Sequence, residues 1–204
     1  MGSIRPHVAY ESADITQTKR EIMDKAAHLF AQKGYGSVGV SEISDMVGFG
    51  KGALYYHIRS KEDLLYSIMT DYMVRLVAAA HRILEQHAHT SDRVERLSES
   101  FLETMFANKA AMTVCFREVH SLGAGRRDDV LKLHSDYQQI WERTFEDGAS
   151  AGESRLVNKI ETKALLGMYF YSFLWVRTDG SAGSDAIARG FARIVLNAVA
   201  IDRA

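Results

Sequence analysis

The sequence predicts an all-α protein: an N-terminal three-helix domain with a helix-turn-helix, joined by a long helix to a C-terminal helical domain. Three observations carry this. The only Pro among the 204 residues is Pro6, so no later residue brings a helix-breaking ring. Apolar residues recur at three- and four-residue spacing along most of the chain. Gly34, Gly36, Gly39, Gly48, Gly50 and Gly52 crowd one short region, as sharp turns between short helices require. A hydrophobic content of 47% is enough to bury a sizeable core. One Cys excludes an internal disulfide framework and a Cys-based zinc cluster. A net charge of −1 excludes a polybasic tail, so any DNA-binding surface must concentrate its cations on one face.

The elements follow in order. Ile22, Met23, Ala26, Leu29 and Phe30 form the stripe of a first helix, closed at Lys33-Gly34. Val40–Val47 and Lys51–Ile58 are each about two turns, too short to be stable alone, so they must pack on each other and on the first helix. Ser60-Lys-Glu-Asp63 opens a long helix over 61–87, roughly 40 Å in length. Asp92 with Glu95 predicts another cap and a helix through Met105, and a separate helix is expected near 109–121. Asp128 and Asp129 suit the start of the next helix, and Gly148 and Gly152 its end. Two last helices are expected at 158–177 and 184–201, split by a turn at 179–183. These divide the chain into an N-terminal unit at 16–62 and a larger C-terminal unit at 63–204.

Function is carried by the two short helices. Gly48 supplies the positive φ needed to leave the first, and Phe49 can plug the core beneath the turn. Gly50, Lys51 and Gly52 open the second helix without bulk, so its backbone can approach a duplex closely. Lys51, Tyr55, Tyr56, His57 and Lys61 give that face cations and hydroxyls for phosphates. Each also admits a plainer reading: a solvated lysine, a core tyrosine, a packed histidine. Residues 18–66 carry seven Lys/Arg and six Asp/Glu, so charge alone would not point to DNA.

Residues Ile22–Tyr35 and Val40–Leu65 resemble the DNA-binding domain of TetR-family transcriptional regulators, over about 45 residues whose types and spacing agree. The resemblance implies an all-helical homodimer that binds palindromic operator DNA, with a DNA-binding domain at 16–62 and a ligand-binding and dimerisation domain at 63–204, most members being repressors released by a small molecule. It places Ser41 where the first short helix faces DNA, and Lys51, Gly52 and Ala53 at the start of the recognition helix. Tyr55 and Lys61 match phosphate-contacting positions, with Tyr56 and His57 beside them. Gly39 and Gly50 depart from the usual Ser or Thr caps, at a cost of only a few tenths of a kcal/mol each. Ala53 departs from the usual Thr but keeps a methyl that can touch thymine, and Arg59 replaces a frequent Pro.

The C-terminal region is crowded with aromatic and thioether side chains. Phe101, Met105, Phe116, Trp141, Phe145 and Phe173 are candidates to line an apolar ligand cavity, and His120, Tyr137 and Tyr169 to orient a ligand's polar end. Each equally fits a core position. Phe116–His120 and Tyr137–Arg155 are similar to members controlling lipid and steroid breakdown, which sense acyl-coenzyme A thioesters. That similarity makes Arg117, Arg126 and Arg127 candidates for the coenzyme's phosphates. Gly167, Tyr171, Trp175, Phe191, Ile194, Val195 and Ala198 are expected at the dimer interface.

Other classes have less support. No Gly-rich phosphate loop, nucleophile arrangement or metal-ligand spacing is present, and the eight His never recur at i, i+4, so neither an enzyme, a cofactor nor a metal is expected. A helical scaffold that binds only protein would want bulk where Gly50-Lys-Gly52 stands. Cys115 among Met112, Val114 and Phe116 reads as a core thiol. The apolar run Ala164–Val176 is too short for a typical membrane span, and residues 1–20 lack a signal-peptide core, so a soluble cytoplasmic protein is expected.

Overall fold

The computed structural model describes residues 16–177 and 183–201, with eight α-helices and two 3-10 turns and no strand among them. Helix α1 (Gln17–Lys33) starts where the Thr16 hydroxyl accepts from the Lys19 amide, and ends as the Gly34 amide donates to the Phe30 carbonyl. Helices α2 (Val40–Val47) and α3 (Lys51–His57) begin at Gly39 and Gly50 without a side-chain cap, as the sequence suggested. The long α4 (Lys61–Gln86) begins with the Ser60 hydroxyl accepting from the Asp63 amide. Its buried stripe of Leu64, Leu65, Ile68, Met69, Tyr72, Met73, Leu76, Val77 and Ala80 packs against α1, α5 and α6.

Three boundaries differ from expectation, each for a physical reason. The helices expected to end near 105 and begin near 109 are one element, α5 (Thr90–Glu118), broken at Asn108 by non-helical φ −129°, ψ 26°. Arg75 donates to the Asn108 side-chain oxygen at 3.3 Å, holding the kink against α4. Helix α6 (Ala124–Ser150) begins four residues before Asp128, at an uncapped Gly123, and runs past Gly148. Gly148 is a packing glycine: a Cβ there would collide with the Thr90 and Ser154 side chains. The exit from α6 is made by Gly152, at φ 72°. Helix α7 (Lys159–Phe170), opened by a capping box between Asn158 and Glu161, stops at Phe170 and tightens into a 3-10 turn over Ser172–Leu174. Helix α8 (Ser184–Ala198) packs on α5. The turn expected at 179–183 lies mostly outside the described residues.

The start of α5 is fixed by the end of α6 rather than by Asp92. The Glu153 carboxylate accepts from the Thr90 amide at 2.7 Å and meets His89 Nδ1 at 2.6 Å. Arg93 pairs with Asp147 at 2.7 Å and donates to the Leu84 and His87 carbonyls that close α4. One corner therefore ties three helices through groups that helix ends leave unpaired.

The Thr90 amide, then the His89 side chain, hold the Glu153 carboxyl down at about 2 from its ordinary 4.5. A depressed carboxylate contributes stability that is present above its ordinary value and is lost as pH falls towards 2. His89 is shifted up by the same Glu153 contact, so its share is present below its ordinary 6.5 and fades as pH rises through the folded value. Glu153→Gln is expected to lower Tm at mildly acidic to neutral pH. That deficit is expected to shrink towards zero as melts are repeated down to strongly acidic buffer.

Candidate functional site

The α2–α3 unit is organised by its turn. Gly48 sits at φ 77°, ψ 22°, and its amide reaches the Asp45 carbonyl at 3.2 Å. The Phe49 amide reaches the Ser44 carbonyl at 3.1 Å, while the buried Ser44 hydroxyl donates to the Phe49 carbonyl. Ile43, Leu54 and Ile58 are buried in the same core as Ile22 and Phe30 of α1. With those positions inside, Lys51, Gly52, Ala53, Tyr55 and Tyr56 of α3 and Ser41 of α2 are left on the solvent side. Tyr56 is 87% exposed, an unusual setting for an aromatic ring that nothing yet covers. Helix α3 carries no acidic residue, so nothing on it repels a phosphate. Gly50 provides no side-chain cap, leaving the first α3 amides without that partner.

Two candidates in this set behave differently. His57 is half-buried and stacks on Phe49 at 5.8 Å, the kind of packing the plainer reading expected. Lys61 does not extend outward as a free phosphate contact. Its ammonium donates to the Tyr35 and Val38 carbonyls, both at 2.7 Å, and lies 4.1 Å from the Tyr35 ring centroid. The α1–α2 connection leaves those carbonyls outside any helix, and the first residue of α4 supplies the cation that meets them. Burial lowers the Lys61 pKa. Two of its three N–H bonds are thus committed within the protein.

Arg117 and Arg126, the candidates for coenzyme phosphates, also have internal partners. Arg117 donates to the Ala31 carbonyl at 3.0 Å, and its neighbour Glu118 accepts from the Tyr35 amide at 3.3 Å. Arg126 pairs with Asp63 at 3.1 Å, while Glu62 accepts from the Gly123 amide at 3.0 Å. These contacts join the end of α5 and the start of α6 to the N-terminal helices. Arg127 is exposed.

An apolar cavity of about 350 Å³ opens between α4, α5, α6 and the end of α7. Of the nine predicted ligand residues it takes only Phe116 and Phe173. Phe101, Met105, Tyr137, Trp141, Phe145 and Tyr169 are fully buried in the core instead, and His120 is exposed in a 3-10 turn away from the lining. The Tyr169 hydroxyl is already paired with Ser98 at 2.6 Å. In place of those residues the cavity takes Tyr72, Cys115, His134, Phe170 and Tyr171. Cys115 Sγ lies 3.7 Å from His134 Nε2. Burial alone holds His134 down at about 4, so it is neutral at physiological pH. Burial pushes the Cys115 thiol up to about 11, which leaves it protonated and unreactive. No Lys or Arg lines this cavity. A larger cleft of about 560 Å³ between α1, α4 and α5 mixes apolar and charged side chains, and Arg75 there pairs with Asp71 at 2.7 Å while Lys109 donates to the Val176 carbonyl at 2.6 Å.

Of the predicted dimer residues, Tyr171, Trp175, Ile194 and Ala198 are exposed and Gly167 is partly so. Phe191 and Val195 are buried within the protomer, because they are on the α8 side that packs against α5. The sequence reading missed Leu156, Ile160 and Leu174, which are 72%, 79% and 59% exposed. Their exposure on α7 and its flanks, beside Trp175 at 60%, leaves more apolar surface uncovered than a monomer needs.

Among the described residues no helix is long and apolar enough to cross a membrane, and no three His, Cys, Asp or Glu gather as metal ligands. Residues 22–68 match the family of bacterial regulatory proteins described as the tetR family, and residues 87–199 match the tetracyclin repressor-like C-terminal domain. The chain is 27% identical to the HTH-type transcriptional repressor KstR2 of Rhodococcus jostii (strain RHA1) over 96% of its own length and 97% of that protein's. Its fold is that of the ketosteroid transcriptional regulator KstR2 of Mycobacterium tuberculosis, with a TM-score of 0.83, 21% identity and coverage of 93% of this chain and 98% of that one. It is likewise similar in fold to AibR, solved in complex with isovaleryl coenzyme A and operator DNA, with a TM-score of 0.75, 23% identity and coverage of 87% and 97%. With its family matches spanning the helix-turn-helix and most of the larger helical domain, this chain belongs to the TetR family of bacterial transcriptional regulators and is not an enzyme.

Proposed function

We propose that the protein is a repressor that binds a palindromic operator as a homodimer and is released by an apolar small molecule. The observation that carries this is the acid-free outer face of α3, where Lys51, Tyr55 and Tyr56 stand exposed behind a glycine-opened helix tip. Residues 16–62 act as the DNA-binding part and 63–204 as the effector and dimerisation part. Ser41, Gly52 and Ala53 offer a hydroxyl and close backbone approach, while Lys51 and Tyr55 reach phosphates. A two-fold axis through the exposed side chains of Tyr171, Leu174, Trp175 and Ile194 would set two recognition helices about 34–36 Å apart, one turn of B-DNA.

The effector reading rests on the apolar cavity. Acyl-coenzyme A thioesters are the class tested first, because the AibR complex holds one and the KstR2 proteins are similar along nearly their whole length. The cavity accepts an acyl chain, and its exposed rim at Phe116, Leu131 and Tyr171 leaves a large head group outside. Tyr72 touches the cavity from the same helix that begins at Lys61, about 16 Å away along the axis. A ligand that prefers a different placement of α4 therefore changes the distance between the two recognition helices, in proportion to its differential affinity for the two states. A protein with these contacts acts in the cytoplasm, where its operator is.

The test begins with an operator selected from random duplex DNA. Lys51→Ala and Tyr55→Phe are expected to weaken its binding across all sequences, and Lys51→Ala to reduce the slope of log K against log salt by about 1. Binding and slope unchanged in both variants would sink the assigned DNA face. Lys61→Met is expected to act chiefly on stability, costing about 1.5–3 kcal/mol through the lost bonds to the Tyr35 and Val38 carbonyls. Octanoyl-coenzyme A is expected to release the operator at concentrations where free coenzyme A does not. Ile194→Asp paired with Trp175→Arg is expected to give a monomer by sedimentation and to weaken operator binding by at least tenfold.

A further inference from the structure

The turn between α3 and α4 carries a cation with no task inside the protein. The backbone is extended at Ile58 and at Ser60 and bends between them at Arg59. The buried side chains of Ile58 and Leu64 pin the two sides of this bend to the core, and the Arg59 amide donates to the Asp63 carboxylate at 3.4 Å. The Arg59 side chain is left exposed, and among the described residues its guanidinium has no hydrogen-bond or ion-pair partner. Its neighbours are all engaged. Lys61 is held by the Tyr35 and Val38 carbonyls, Lys33 pairs with Glu42, and Arg126 pairs with Asp63. The carboxylates of the first α4 turn are met from α6: Glu62 by the Gly123 amide and Asp63 by Arg126. Neither is left to neutralise Arg59. From Lys51 to His57 helix α3 spans roughly 9 Å. An exposed cation thus stands at its first residue and another two residues past its last, across a distance comparable to the roughly 12 Å width of the major groove.

We propose that Arg59 binds a backbone phosphate of the operator, on the strand opposite the one that Lys51 meets, and so supplies the contact that Lys61 gives up by binding the α1–α2 connection. The division of work is forced by the carbonyls. Turning Lys61 outward leaves the Tyr35 and Val38 carbonyls without their partner, whereas Arg59 reaches outward at no such cost. Its planar fork of N–H donors takes two oxygens of one phosphate at once, which an ammonium does not do. The bend fixes where that fork starts, because its backbone is tied to Asp63 and flanked by a buried side chain. A phosphate contact carries no base preference, so Arg59 contributes affinity and register while base choice stays with the tip of α3. This rests on the DNA-binding reading of α3.

The test measures binding of the selected operator and of random duplex against salt, for the parent, Arg59→Gln, Arg59→Lys and Lys61→Met. Arg59→Gln is expected to weaken both duplexes about tenfold per half-site and to lower the slope of log K against log salt by about 0.9 per half-site. Its Tm is expected to stay within about 2 °C of the parent's, since the side chain touches nothing in the protein. Arg59→Lys is expected to keep the slope and lose only part of the affinity, and Lys61→Met to keep the slope. Operators carrying a neutral methylphosphonate at one phosphate at a time locate the contact. One position is expected to weaken the parent and leave Arg59→Gln unaffected, on the strand opposite the position that Lys51→Ala makes silent. The proposal is overturned if Arg59→Gln keeps the parent's slope while Lys51→Ala lowers it, if Lys61→Met lowers the slope, or if both silent positions lie on one strand. A slope unmoved in Arg59→Gln and Lys51→Ala alike removes the DNA-binding reading itself, and the proposal with it.

Discussion

Helix α4 is buried against α1 at its start and against α5 and α6 further on, and the two halves of the molecule share one hydrophobic core through it. Leu64, Leu65 and Ile68 have essentially no solvent exposure, and neither have Met73, Leu76 and Val77 two to three turns later. The short helices α2 and α3 cannot persist at eight and seven residues without a surface to lie on. That surface includes α1 and the beginning of α4. A displacement of α4 cannot be absorbed by a flexible linker, because none separates α3 from it: Ile58 is buried, and only Arg59 and Ser60 intervene.

Polar contacts make the same junction stiff. Lys61 binds the α1–α2 connection, Arg117 and Glu118 bind the end of α1 and Tyr35, and Arg126 with Gly123 binds the first turn of α4. Four helix ends therefore converge on one narrow region: the close of α1 and of α5, and the start of α4 and of α6. The same stretches of α5 and α6 supply Phe116, Val119 and Val130 to the cavity wall. Displacing the wall thus strains hydrogen bonds that position the DNA-binding helices, within a close-packed interior that transmits shifts. This gives the coupling a physical path of named contacts, each of which can be removed singly and its effect on release measured.

How much of this was legible in the sequence depends on whether the governing contact is local. The α2–Gly48–α3 turn, the glycine caps at Gly39 and Gly50, and the Ser60 cap are set by residues within four positions of one another, and each was readable. The kink at Asn108 was half-readable: the apolar pattern lapses there, but whether the chain breaks or bends is decided by Arg75, 33 residues earlier. Gly148 looked like a helix terminator because glycine serves that role often. Its reason is Thr90, on another helix. Lys61 followed the same logic. Its position pointed to the surface, and only the folded α1–α2 connection revealed two carbonyls waiting for it.

The ligand site was the least legible part, for a reason that bears on its chemistry. Aromatic content predicts burial equally well for a core residue and a cavity wall, so Phe101, Trp141 and Phe145 could not be told from Phe116 and Phe173 in advance. What separates them is the set of neighbours that distant helices bring: Phe116 meets Tyr171 and Phe173 at the cavity, with ring centroids 5.3 and 5.8 Å away, while Phe101 meets Tyr137 and Tyr169, and Trp141 meets Phe145, in the closed core. The same α6 that supplies Val130 and His134 to the cavity wall is held to the start of α4 through Arg126 on Asp63 and Tyr66 on Asp129, so a displacement of that wall reaches the DNA-binding end of the molecule through contacts that no local sequence pattern announces.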